Sequence, residues 1–137
     1  MNPCASARRP RGAKLRHVGI TDRFRSLGRS TSDLHREHLR STLAQVGGVS
    51  SIDAAPDRQR TTIVGQVARS VVVPRPDGGS YLEVVIDDGS AKAELRFLGR
   101  TRLPGIELGR TVRVSGRGHR SARSGRLRFT NPVYELL

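Results

Sequence analysis

The sequence predicts an all-β protein, a five-stranded, partly open barrel over residues 58–137, preceded by a short helix and a disordered basic arm. Three observations predict it. From Arg58 onward the hydrophobic residues recur with a period of two. Clusters of Gly, Pro and Asp interrupt that period at short intervals, as turns between strands do. Residues 1–57 hold one amphipathic stretch and little else that is apolar.

Length and composition set the outer limits. A chain of 137 residues suits one domain with a tail, and 35% hydrophobic residues is too little for a core spanning the whole chain. No stretch approaches the ~20 apolar residues of a membrane helix. With Cys4 alone, an intramolecular disulfide is impossible and a Cys-based zinc site nearly so. The basic N-terminus lacks the apolar run of a secretory signal, so the expected location is cytoplasmic.

The elements follow in order. Residues 1–29 begin with Arg8, Arg9, Arg11, Lys14 and Arg16, with no acid before Asp22. Such a segment buries too little apolar surface to offset the entropy of ordering. Residues 30–57 open with Ser30-Thr31-Ser32-Asp33, which offers helix N-caps, and Gly47-Gly48 offers a stop. Leu39, Leu43 and Val46 fall at i, i+4 and i+7 between them, flanked by Leu34 and Ala44, which predicts an amphipathic helix over Asp33–Val46. Phe24 and Leu27 stand where a preceding turn would be. Ser50 to Asp57, with Pro56, reads as a linker.

Five strands follow. Ile63, Gly65 and Val67 alternate with Val64, Gln66 and Ala68, in a run that reaches Val73 before Pro74. Leu82, Val84 and Ile86 alternate with Tyr81, Glu83 and Val85; Ala93, Leu95 and Phe97 alternate with Lys92, Glu94 and Arg96. Val112 and Val114 form the fourth strand, Leu127 and Phe129 the fifth. Each has one apolar and one polar face. Arg75 to Gly79 joins the first two, and Asp88-Gly89-Ser90 is a tight hairpin between the second and third. Residues 100–110 join the third and fourth without a clear helix. Gly116 to Gly125 reads as a long, mobile four-five loop. A small sandwich would need about seven strands.

Particular residues carry a resemblance. These are Val64-Gly65-Gln66-Val67, the run Val85-Ile86-Asp87-Asp88-Gly89-Ser90-Ala91, Phe97-Leu98-Gly99-Arg100, Leu103-Pro104-Gly105-Ile106 with Gly109, Gly116, and Asn131-Pro132-Val133-Tyr134-Glu135-Leu136. With them, residues 60–137 resemble the oligonucleotide/oligosaccharide-binding (OB) fold, a Greek-key barrel. More narrowly they resemble the small OB-fold nucleic-acid-binding proteins of actinobacteria. The glycines and the Asp-Gly hairpin carry the fold alone, whereas Leu-Gly-Arg and Asn-Pro-x-Tyr-Glu-Leu point to the narrower group. The resemblance implies ligands lying across strands two and three, between the one-two and four-five loops.

That placement implies a face of Tyr81, Glu83, Val85, Lys92, Glu94 and Arg96. Arg75 stands in one flanking loop, and Arg117, His119, Arg120, Arg123 and Arg126 in the other. Four Arg in the ten residues from Arg117 to Arg126, with no acid, suit a phosphate backbone better than base edges. Aromatic residues are 4% of the chain; Phe97 and Phe129 fall on the inward alternation, and Tyr134 is expected to pack on the barrel. Tyr81 is left as the one stacking platform. Glu83 and Glu94 are expected to pair across strands with Lys92 and Arg96.

Catalytic chemistry finds little support. Adjacent Asp87 and Asp88 cannot face each other on a strand, and they suit hairpin capping. His35 and His38, at i and i+3, lack a third metal ligand, and Cys4 lacks a nearby base. Gly116-Arg117-Gly118 has no Lys-Ser/Thr after it, so it is not a phosphate loop. The expectation is no enzyme, no cofactor and no metal.

Charge points to a polyanion. Net charge is +13, with 10 basic against 3 acidic residues in 1–40 and 15 against 7 in 58–137, so the excess is not confined to a tail. Of the 25 basic residues all but Lys14 and Lys92 are Arg, a bias that GC-rich coding also produces. The expected function is non-catalytic binding of nucleic acid, single strand in preference to duplex, through backbone contacts with little sequence preference. The arm would add a second nucleic-acid contact, or bind an acidic partner or anionic lipid. The alternative function is a protein-interaction module in which Leu39, Leu43 and Val46 dock on a partner.

Overall fold

A computed structural model describes residues 30–137. The expectations for the basic arm, Cys4, Phe24 and Leu27 lie outside the described residues. The elements are α1 (Thr31–Leu43), β1 (Arg60–Pro74), β2 (Ser80–Asp87), β3 (Lys92–Leu98), β4 (Thr111–Arg120), β5 (Leu127–Thr130) and β6 (Val133–Leu136).

The long first strand closes the barrel. The N-terminal half of β1 pairs with β4, from Arg60 opposite Arg117 to Gln66 opposite Thr111. Its C-terminal half pairs with β2, from Gln66 opposite Asp87 to Pro74 opposite Ser80. Between the halves the register slips: Val67 faces Ile86 but Arg69 faces Val85, leaving Ala68 as an extra residue. Such a bulge bends a strand and increases its twist, which lets one strand serve two partners. The Val67 N–H turns away from β2 and donates to the Arg110 carbonyl, while the Gly109 N–H donates to the Val67 carbonyl. The ring runs β1-β2-β3-β5-β4 and back to β1, antiparallel throughout except for the parallel pair β3–β5. This is the expected five-stranded OB barrel.

A sixth strand was not expected. Asn131 takes a left-handed φ of 48° and Pro132 follows it, so the chain bends after β5 and β6 continues along β4. The Asn131 N–H donates to the Arg96 carbonyl, and its Oδ1 accepts the Leu98 N–H at 2.8 Å. Asn suits this place because it tolerates positive φ and carries an acceptor.

The interior is the set that the alternation predicts: Ile63 and Val67, Leu82, Val84 and Ile86, Ala93, Leu95 and Phe97, Val112 and Val114, Leu127 and Phe129. Gly118 points inward beside Phe129, and a Cβ there would stand 2.9 Å from both the Phe129 ring and Leu127. The ring of Phe129 fills that volume instead.

Both ends of the barrel are closed by irregular chain. At one end the 99–110 connection inserts Leu103 and Ile106, without a helix, as expected. At the other, residues 50–57 are not the expected linker. Ile52 and Ala55 belong to the core, the Ile52 N–H donates to Asp88 Oδ2 at 2.8 Å, and Ser50 bridges to Ile63. A short apolar pair among polar residues gives no periodic signal, so its burial was not legible in sequence.

α1 starts at the Ser30 cap and ends at Leu43, three residues before the expected end at Val46. The hydroxyls of Ser41 and Thr42 both bond the His38 carbonyl, and such competition weakens a last turn. Its apolar stripe turns toward the barrel: Leu39 and Leu43 are 5% and 8% exposed, Val46 half-buried. Leu43, Val46 and Val49 line one cleft with Val64, an outward residue of β1 that the helix region covers. Burying each leucine contributes about 1.5–3 kcal/mol. The surface assigned to a partner through Leu39, Leu43 and Val46 is therefore largely covered by the chain itself. Arg40 Nε donates to the Gly89 carbonyl at 2.9 Å, fixing the helix on the β2–β3 hairpin. Gly89 has φ 82°, and a Cβ there would overlap the Arg36 carbonyl, so glycine is required twice over. Among the described residues, no helix is long and apolar enough to cross a membrane.

Candidate nucleic-acid interface

Strand register sets which side chains share the outer face. Val73, Tyr81 and Leu98 form one cross-strand row over β1, β2 and β3. The next row is Val71, Glu83, Arg96 and Thr130. A third is Arg69, Val85, Glu94, Arg128 and His119, and Asp87 opposite Lys92 closes the far end. The face thus runs from an apolar, aromatic end to a charged one.

Four arginines interleave with two glutamates across it. Glu83 accepts from Arg69 Nη2 at 3.0 Å and from Arg96 Nη2 at 3.4 Å. Glu94 accepts from Arg128 Nε and Nη2 at 3.0 and 2.9 Å, with Arg126 Nη1 at 3.7 Å and Arg96 Nη2 at 4.0 Å. Glu94 is 7% exposed, so its carboxylate is the buried hub of this network. The guanidinium of Arg96 lies over the Tyr81 ring, 4.9 Å from its centroid, and its Nε is buried without a hydrogen-bond partner. A guanidinium carries five donors, and held this way it keeps spare donors in a fixed orientation. Ion pairing neutralises half of the cluster, so it aims donors more than it attracts anions.

The expected pairing of the glutamates holds for Arg96, whereas Lys92 faces Asp87 at 3.9 Å in place of Glu94. Asp87 and Asp88 cap the hairpin: Asp87 Oδ1 accepts the Gly89 N–H at 2.8 Å, and Asp88 Oδ1 accepts from Ser90 and Ala91.

Of the residues expected at the interface, Tyr81, Lys92, Arg96, His119 and Arg126 share the face or its immediate edge. Arg75 is in the one-two turn, paired with Asp77 at 2.6 Å. Arg117 is exposed on β4 opposite Arg60, and Arg123 is exposed in the four-five turn. Arg120 does not join them. Its Nη2 donates to the carbonyls of Asp53 at 2.7 Å, Ala55 at 3.2 Å and Ile52 at 3.4 Å, and its N–H to Asp57 Oδ1. It anchors the segment that closes the barrel. The expected long, mobile loop is also corrected: β4 runs on to Arg120, and a tight turn follows, with Gly125 N–H donating to the Ser121 carbonyl at 2.7 Å.

Sequence reasoning missed Arg69 and Arg128. The bulge at Ala68 reverses the phase of β1, so that Arg69, Val71 and Val73 face outward after even-numbered residues had done so. Arg128 reaches Glu94 through the parallel β3–β5 pairing, which no local pattern encodes.

The two motifs behind the narrower resemblance meet in space. Phe97, Leu98, Arg100 and Leu103 face Asn131, Pro132 and Tyr134 across a cleft of about 460 Å³ at the Leu98 end of β3. Tyr134 packs edge-on against Phe97, ring centroids 5.7 Å apart, as expected of a barrel-packing tyrosine. Compared with protein-family models and with curated proteins, the chain finds no match.

Proposed function

We propose that this protein binds single-stranded nucleic acid along the outer face of β2 and β3, without catalysing a reaction, as a cytoplasmic protein akin to the small actinobacterial OB-fold proteins. The observation that carries this reading is the Tyr81–Arg96 stack set between the apolar neighbours Val73 and Leu98 and the arginines of the next rows. A base needs a flat apolar surface, and its phosphate needs an oriented donor beside it; this arrangement offers both. Duplex DNA offers its bases only at their edges, which leaves an aromatic ring no base face to stack upon.

The face is bounded by Arg75 and the one-two turn at its Tyr81 end and by Arg126 and the four-five turn at the other. From Lys92 to Leu98 is about 20 Å of strand, which suits the low end of the ~4–16 nucleotides bound per OB fold. Because the network is half neutralised, affinity depends on the rim: Arg117 on β4 and Arg123 in the four-five turn make no ion pair among the described residues. Binding on these terms is weak, salt-sensitive and nearly blind to sequence.

Titrating a single-stranded oligonucleotide into isotope-labelled protein and following amide NMR shifts tests the placement. Shifts concentrated at Tyr81, Arg96, Leu98 and Arg128 are expected. Shifts confined to α1 and β6 would overturn it.

A further inference from the structure

α1 closes the end of the face where β2 turns into β3. Arg36 reaches that end from the helix, Lys92 from the first position of β3 and Arg126 from the residue before β5. Together with Asp87 and the backbone of Gly89, Ser90 and Ala91 they line a pocket of about 330 Å³. Its charges do not cancel. Asp87 is shared between the Gly89 N–H and Lys92, Arg126 touches Glu94 only at 3.7 Å, and Arg36 makes no ion pair among the described residues.

The hairpin amides are not available to a ligand, because the N–H groups of Gly89, Ser90 and Ala91 are bound by the carboxylates of Asp87 and Asp88. Whatever the pocket holds must therefore be recognised by three cations from three elements. That selects a compact, multiply charged anion with acceptors on several sides, which describes a phosphate monoester of charge about −1.5 to −2 at neutral pH. The position selects further. A strand running along β3 meets α1 here, held by the Arg40 bond to Gly89, so its path ends at the pocket.

We infer that this pocket seats the terminal phosphate of the bound single strand, with Arg36, Lys92 and Arg126 as its ligands. The inference rests on the proposed binding face and adds α1 to it. A terminal and an internal phosphate share this chemistry, and short oligonucleotides separate them.

The experiment uses the full chain and labelled hexamers of one sequence, ending in a 5′-phosphate, a 3′-phosphate or hydroxyls alone, read by fluorescence anisotropy. One phosphorylated end is expected to bind about tenfold more tightly than the hydroxyl end, the scale of one charge-assisted contact. Arg36→Gln is expected to reduce that gain to about twofold or less, and Lys92→Gln to do the same from a different element. Arg36 is exposed, and circular dichroism checks that the helix survives its replacement. Equal binding of all three hexamers by the wild type, or a gain that persists in both variants, would overturn the inference. Failure of the wild type to bind any of them would overturn the proposed face as well.

Discussion

The guanidinium of Arg96 stands 4.9 Å from the centroid of the Tyr81 ring, toward the aromatic end of an outer face whose remaining arginines are held by Glu83 and Glu94. A cation over an aromatic face is held there by the quadrupole of the ring.

Removing the ring should be costly and removing only its hydroxyl should not. Tyr81→Ala is expected to weaken single-strand binding by about 1–3 kcal/mol, the range for one stacked base, while Tyr81→Phe stays near wild type. Anisotropy titration of both variants at one salt concentration measures the difference.

The rim cations should show themselves in salt dependence. Replacing Arg117 and Arg123 together by Ala is expected to flatten the log–log salt slope by about 0.7 for every phosphate that is no longer neutralised. Arg75→Ala should change it far less, because Asp77 already neutralises Arg75 at 2.6 Å.

Arg120 separates stability from binding. Its guanidinium satisfies the carbonyls of Ile52, Asp53 and Ala55. Arg120→Ala leaves these without their donor and is expected to cost about 2 kcal/mol in urea unfolding. Binding by the folded fraction should stay close to wild type.

Glu94 is the negative charge that the proposed polyanion would meet among these arginines. Glu94→Gln removes one negative charge from among Arg96, Arg126 and Arg128. It is expected to tighten binding about fivefold at low salt, the scale of ~1 kcal/mol for one charge interaction at 4 Å in water. Stability should fall in the same variant, because Arg126 and Arg128 lose their common anchor. Paired anisotropy and urea titrations read both effects.

Much of the fold was legible because it is local. Period-two alternation placed Leu82, Val84, Ile86, Leu95 and Phe129 inside, and Asp-Gly at residues 88–89 marked the hairpin. What escaped was non-local or carried by single residues. The parallel β3–β5 pair that joins Arg128 to Glu94 links residues 34 apart, and no periodicity reports it. One extra residue at Ala68 moved Arg69 onto the outer face. Arg120 looked like its neighbours Arg117 and Arg123 because charge alone does not show that a guanidinium is bound to carbonyls. The candidate face was legible at Tyr81 and Arg96 because both stand on the strands that a barrel of this kind exposes. Its division into paired and unpaired cations needed the coordinates of both partners.

Fluorescence anisotropy with a labelled single strand of about 20 nucleotides and its duplex, over 50–300 mM salt, separates binding at the β2–β3 face from attraction by charge alone. Tighter binding of the single strand is expected, with a salt slope equivalent to several phosphate contacts. Equal binding of strand and duplex, or no binding of either at 50 mM, would contradict it.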